Sequence, residues 1–155
     1  MAVSEEPIRR AEAADAEVVG QLLHDFNREF DEPTPGPAAL ADRMRDLVNG
    51  GDTVVLLVGA APVGLAVLRF RLSIWGKGAE CHLAELYVAP QQRGQGRGRA
   101  LMQAAMGEAR VRGADTMDIG VDEPDHVARR LYESLDFSNR SGVDGPLMYF
   151  YEREL

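Results

Sequence analysis

One segment of the chain limits the local fold more than any other: Arg93-Gly94-Gln95-Gly96-Arg97-Gly98, which leaves a strand-like run at Cys81–Val88 and enters an amphipathic stretch. Glycines lack Cβ, so the backbone can turn sharply there and come close to a ligand. N–H groups at the start of the following helix point at that ligand with the positive end of the helix dipole behind them. Arg93, Arg97 and Arg99 add guanidinium groups, whose charge and fork geometry suit phosphate oxygens. The segment therefore reads as a phosphate-binding turn between a strand and a helix.

Leu101, Met102, Ala105, Met106 and Ala109 share one face of that helix, and Arg110, Arg112 and Gly113 end it. Thr116–Val121 then reads as a strand, which makes the region from Leu83 to Val121 a βαβ unit with parallel neighbours. Upstream, Ile8–Glu12 reads as a short strand. Asp15 is placed to cap a helix carrying Val18, Val19, Leu22, Leu23, Phe26 and Phe30. The proline-rich stretch 31–37 breaks it. A second helix with Leu40, Met44, Leu47 and Val48 on one side stops at Asn49-Gly50-Gly51.

Thr53–Val58 and Val63–Arg71, separated by Gly59-Ala60-Ala61-Pro62, read as a hairpin. Downstream, Pro124 or Asp125 opens a helix with Val127, Ala128, Leu131, Tyr132 and Leu135, and Leu147–Glu152 reads as a closing strand. Antiparallel hairpins and one βαβ unit together predict an α/β chain with a mixed, mostly antiparallel sheet and helices on both faces. At 155 residues it is expected to form one domain, 1–155, with one site.

Composition narrows the function. A net charge of −8 argues against a nucleic-acid partner, which draws clustered Lys and Arg, and favours a cationic ligand. No apolar run approaches the roughly 20 residues that span a bilayer, and Met1–Arg10 has no apolar leader core, so no membrane partner is expected. The single cysteine, Cys81, has no Cys or His partners at metal-ligand spacing; it reads as a small buried strand residue in a chain of the reducing cytoplasm. No metal site is expected.

Other phosphate patterns fit the glycine segment less well. A nucleoside-triphosphate loop needs Gly-Lys-Ser/Thr, and this loop has neither lysine nor hydroxyl. A dinucleotide fingerprint counted from Gly96 and Gly98 finds Leu101 at its third small position, although Asp118 lies about 20 residues further on.

At these residues the chain resembles the GNAT superfamily of N-acetyltransferases, whose signature is Arg or Gln, two residues, Gly, one residue, Gly or Ala. Arg93 to Gly98 matches it in place. The likeness extends to Leu86-Tyr87-Val88-Ala89-Pro90 and to the segment from Ala128 to Phe137. It implies a single-domain fold with splayed central strands, and acetyl-coenzyme A as co-substrate. By this resemblance, backbone groups of Leu86, Tyr87 and Val88 hold the pantetheine arm. Gly94 to Arg99, with Gln95, hold the pyrophosphate, mainly through main-chain N–H groups. Asp125 stands at the pantetheine-facing position where many members have Asn, and Asp136 where they have Gly.

Acetyl transfer to an amine needs a neutral nucleophile, support for the developing oxyanion and a proton for the departing thiolate. A primary amine with a pKa near 10 is mostly protonated at pH 7, so a base or a water chain must take its proton. Glu85 is the candidate base, with Glu80, Asp122 and Glu123 as rivals. Gly120 occupies the place where some members carry a glutamate. Tyr132 aligns with the family tyrosine near the coenzyme A sulfur and is the candidate acid, and a backbone N–H near Val88 is the candidate polariser of the thioester carbonyl. His82 alone of the three histidines is kept for the acceptor pocket. Ser73–Gly78, with Trp75, and Ser138–Pro146 are expected to line that pocket together with the first two helices.

Expected acceptors are a small-molecule amine or a peptide amine, and a homodimer is compatible with the fold. A non-catalytic acyl-coenzyme A sensor of the same fold is the alternative, and a nucleotide-binding protein is a third reading.

Overall fold

The runs Thr53–Val58 (β2) and Gly64–Leu72 (β3) pair antiparallel in full register, from Thr53 opposite Arg69 to Val58 opposite Gly64. A computed structural model describes residues 6–155, which divide into a unit ending at Ile119 and a unit Gly120–Leu155. In the first unit, Ile8–Arg10 (β1) flanks β2, and Ala79–Val88 (β4) flanks β3, both antiparallel. Ala114–Ile119 (β5) runs parallel to β4, giving the sheet order β1-β2-β3-β4-β5. The sheet is thus mixed and mostly antiparallel.

Every residue of β2 is buried, because both faces of the sheet are covered. Ala16–Glu29 (α1) and Pro37–Asn49 (α2) pack Val19, Leu22 and Met44 against Val55, Leu57, Leu65, Val67 and Tyr87. Residues of the opposite parity, Val54, Leu56, Val58, Leu68, Cys81 and Leu83, are equally buried on the other face. There Arg97–Val111 (α3) lies along β2 to β5 with Leu101, Met102 and Ala105 fully buried. Burying a Leu or Met side chain contributes about 1.5–3 kcal/mol, so the α3 face alone is a substantial share of the core. The Cys81 thiol, as read from the sequence, is fully buried, and burial pushes its pKa up to about 11.

Asp15 does not cap α1 with its side chain as expected. Its carboxylate instead accepts from the Glu12 N–H and from both terminal nitrogens of Arg9, closing a capping box around a single 3₁₀ turn, Ala13–Asp15. Those three charge-assisted bonds hold its pKa down at about 2.

In the second unit, His126–Ser134 (α4) begins where expected: the Asp125 carboxylate accepts from the Ala128 N–H at 3.0 Å, an N-cap. Asp136, two residues beyond the helix, takes the left-handed conformation at φ 66° that a glycine would fill without strain.

The closing strand read at Leu147–Glu152 does not form. Leu147 makes an isolated bridge to Arg140, and the Met148 N–H donates to the Asn139 carbonyl; beyond them no ladder continues among the described residues. Tyr149, Phe150 and Tyr151 are 73%, 76% and 87% exposed. The residue pattern for a strand is present, but a strand needs a neighbour to satisfy its N–H and C=O groups, and here these residues have none. No helix of the described residues is long and apolar enough to cross a membrane.

Candidate active site

The pairing of β4 changes along its length. Ala79–Leu83 face β5, from Ala79 opposite Ala114 to Leu83 opposite Ile119, and β5 ends there. On its other side β4 has a bulge: Leu83 lies opposite Leu68 and Glu85 opposite Val67, leaving Ala84 as the extra residue. A bulge bends its strand and sharpens the local twist. Residues 84–88 consequently have no strand on the β5 side among the described residues, and Leu86, Tyr87 and Val88 lie along that uncovered edge of β4.

Ala89 and a 3₁₀ turn at Pro90–Gln92 then deliver the chain to the glycine segment. Gly94 and Gly96 both have positive φ, 74° and 81°, which L side chains adopt only with strain. Gly96 is the N-cap of α3, and a Cβ at Gly94 or Gly96 would meet no atom within 4 Å. The glycines therefore serve conformation and leave open space on the ligand side. The N–H groups of Gly94, Gln95 and Gly96 have no acceptor among the described residues, and those opening α3 have no partner within the helix. A phosphate fits this arrangement of donors.

Arg93 and Arg97 are engaged within the protein. The Arg93 Nε donates to the Val88 carbonyl at 2.8 Å, its terminal nitrogens grip Glu29 at 2.8 and 2.6 Å, and its guanidinium sits 5.7 Å from the centre of the Tyr87 ring. Arg97 is bound by Glu6, by the Gln92 carbonyl at 3.0 Å and by the Gln95 side chain at 2.6 Å. Both side chains thus brace the loop. Tyr87 is buried and stacked on Phe26 at 5.0 Å, tying β4 to α1; burial pushes its phenol pKa up.

Glu85 is partly buried on the sheet face that α1 and α2 cover further along, next to Val67. Burial raises its pKa, and the nearby His82 pulls it back in part. Its rival Glu80 is paired with Arg71 at 2.6 Å. His82 lies opposite both Arg69 and Asp118, and its Nδ1 is in contact with the Asp118 carboxylate. Asp118 entered the sequence reading only as a dinucleotide signal. The parallel register that brings it to His82 has no local mark in the sequence.

Tyr132 lies on α4 in the second unit, its ring edge-on to Phe137 with centroids 6.2 Å apart. Burial first, and the Asp125 charge second, push its pKa up to about 12, so the phenol is neutral near pH 7. Asp125 spends one carboxylate oxygen on its helix cap. Trp75 is 91% exposed in the β3–β4 loop and covers no part of the core. His24 bonds Thr34 at 3.1 Å and has no place near Glu85 in the hydrogen-bond network.

Residues 19–137, spanning β4, the glycine turn and α4, match the acetyltransferase (GNAT) family. The chain belongs to that family. GNAT acetyltransferases use acetyl-coenzyme A, and the uncovered edge of β4 and the donor-lined turn fit a long pantetheine arm ending in a pyrophosphate. The chain is 34% identical over 134 residues to a mycothiol acetyltransferase of Thermobispora bispora; that stretch is 83% of this chain and 40% of the relative's length. It is 26% identical over 132 residues to a thialysine N-epsilon-acetyltransferase of Caenorhabditis elegans, covering 84% of this chain and 81% of the relative. Among solved structures, a candidate acetyltransferase of Arthrobacter sp. FB24 superposes with a TM-score of 0.91 at 48% identity, over 100% of this chain and 99% of that one.

Proposed function

We propose that this chain is an N-acetyltransferase that moves the acetyl group of acetyl-coenzyme A directly to a primary amine of a small molecule or peptide, with 1–155 acting as one catalytic domain. The observation that carries this reading is the stretch 84–88 of β4, which has no strand on its β5 side among the described residues and leads into the donor-lined turn at Gly94–Gly96. The names of the mycothiol and thialysine acetyltransferases support a small amine as acceptor.

Acetyl-coenzyme A supplies an acetyl group activated as a thioester. Leu86, Tyr87 and Val88 offer backbone groups to the pantetheine arm, and Gly94 to Arg99 offer N–H groups to the pyrophosphate. A backbone N–H near Val88 polarises the carbonyl. Glu85, whose raised pKa makes it a better base than an ordinary glutamate, takes the proton that frees the amine lone pair. The N–C bond then forms as the C–S bond breaks, and the second amine proton ends on the thiolate.

Tyr132 assists that last event. A phenol near 12 cannot protonate a thiolate outright: with a reference thiol pKa near 8.5, full transfer is uphill by a factor of roughly a thousand. Tyr132 therefore acts first as a hydrogen-bond donor to sulfur, and water closes the proton balance.

A reducing cytoplasm suits the free thiol of Cys81, and the acidic balance of the chain suits an amine rather than a nucleic acid. The exposed run Tyr149–Tyr151 supports a homodimer.

Free thiol followed on mixing acetyl-coenzyme A with a panel of amines tests the reading. Release that depends on an amine is expected. Stabilisation by coenzyme A without release from any amine would favour a sensor, and stabilisation by NAD or ATP but not by coenzyme A would favour a nucleotide-binding protein. A ligand at about a hundred times its Kd adds ~2.7 kcal/mol to folding stability, well within the reach of a thermal shift.

A further inference from the structure

Across four strands of the first unit, one row of opposed residues reads Thr53, Arg69, His82, Asp118. Residues directly opposite in a sheet present side chains to the same face. Because Thr53 has the parity of Val55 and Leu57, this is the face that carries Glu85 and, further along, α1 and α2. The row next to it is Val55, Val67, Glu85.

The charges along this strip are nearly all matched. Arg71 is bonded to Glu80 at 2.6 Å and lies 4.0 Å from Asp118, and Asp118 contacts His82. Arg69 differs: it is exposed, and no carboxylate or carbonyl among the described residues engages its guanidinium. Beside it in the row, the Thr53 hydroxyl is buried, with the residue only 3% exposed, and Oγ1 has no hydrogen-bond partner among the described residues. The hydroxyl has no accessible surface for a ligand to reach, whereas the Arg69 guanidinium is open to one and lacks the counter-ion that Arg71 has in Glu80. A ligand oxygen anion at this end of the row supplies that counter-ion.

We infer that this row is an acceptor subsite for amines that carry a carboxylate on the same molecule, with Arg69 holding the carboxylate while the amine lies at Glu85. The inference rests on the acetyl-transfer reading above and adds the acceptor's second functional group to it.

The spacing fits such a molecule. Two residues along a strand advance ~7 Å and neighbouring strands lie ~5 Å apart, which puts the Arg69 and Glu85 backbones roughly 8–9 Å from each other. An acceptor with about five methylenes between amine and carboxylate spans ~7–8 Å when extended. Pairing of Glu80 with Arg71, and the approach of Arg71 to Asp118 at 4.0 Å, offset the repulsion these carboxylates would exert on an incoming anion.

The decisive comparison uses 6-aminohexanoate and its neutral counterpart 6-aminohexanamide, with acetyl-coenzyme A and thiol release as readout. The native protein is expected to prefer the carboxylate about tenfold in kcat/KM, through KM, as for a charge-assisted hydrogen bond. In Arg69→Gln the ratio is expected to fall to near one, and in Arg69→Glu the preference moves to 1,6-diaminohexane. Retained stabilisation by coenzyme A shows that each variant is folded.

A native ratio near one, or an unchanged ratio in both variants, overturns the inference and leaves acetyl transfer standing. Absence of thiol release with every amine, in a native protein that coenzyme A stabilises, overturns the acetyl-transfer reading and this inference with it.

Discussion

Glu85 illustrates how one residue is pulled between stability and chemistry. Burial raises its pKa in the fold, so the folded protein binds a proton there more tightly than the unfolded chain. The stability it contributes is therefore fully present below the unfolded pKa and is lost as pH rises through the folded one. Near neutral pH the ionised carboxylate is a net cost to folding, and Glu85→Gln is expected to raise the Tm at pH 7–8 while lowering kcat. Catalysis has the opposite sign, because the base works only when ionised: the native rate should climb with pH through the raised Glu85 pKa, and that limb should vanish in the variant. A pH–rate profile beside melting curves checks both, and a Glu85→Gln protein that is as active as the native one removes Glu85 as base. At Tyr132 a narrower effect is expected. Removing the phenol hydroxyl in Tyr132→Phe should lower kcat by about a hundredfold, typical of a lost proton-transfer or leaving-group contact, with KM for acetyl-coenzyme A nearly unchanged. Steady-state kinetics with each substrate varied separates the two parameters.

At the scale of elements, the segments visible beforehand were those whose signals are local. Thr53–Val58 was readable as a β-branched and aliphatic run, and the end of α2 from its two glycines. The start of α4 followed from Asp125, and the glycine turn from its spacing. What stayed hidden depends on partners distant in sequence. The bulge at Ala84 follows from pairing with β3, and the juxtaposition of His82 with Asp118 from a parallel register 36 residues apart. The engagement of Arg93 by Glu29 and of Arg97 by Glu6 likewise joins residues far apart in sequence, and no local pattern marks it. The glycine turn is the element whose removal is most informative. Gly96 caps α3 at φ 81°, ψ 3°, so Gly96→Ala should cost about 1–2 kcal/mol in folding for the left-handed conformation alone, since its Cβ meets no atom. Its Cβ would stand on the open side of the turn, so the affinity for coenzyme A should fall as well. Urea unfolding and calorimetric titration of coenzyme A measure the two losses separately; an unchanged Kd would mean that the main chain at Gly96 does not approach the ligand.

Among the described residues, 147–152 are the segment whose strand-like sequence forms no strand. Leu-Met-Tyr-Phe-Tyr-Glu has the aromatic and aliphatic content of a strand, yet Tyr149 to Tyr151 are exposed and beyond Met148 no ladder forms among the described residues. A single chain gains nothing from leaving three large aromatic side chains in water, each of which buries 150–250 Å² when covered. Exposed apolar surface of that size is typical of an interface, and an isologous contact between two copies would cover both runs at once. Mass action then makes protection of this segment depend on concentration. Hydrogen exchange at residues 148–152 should be near the unprotected rate in dilute protein and should slow as light scattering reports a doubling of mass, whereas β2 and β3 exchange slowly throughout. Slow exchange in a sample that remains monomeric would instead mean that the segment finds its strand partner within one chain, and the dimer would lose its support.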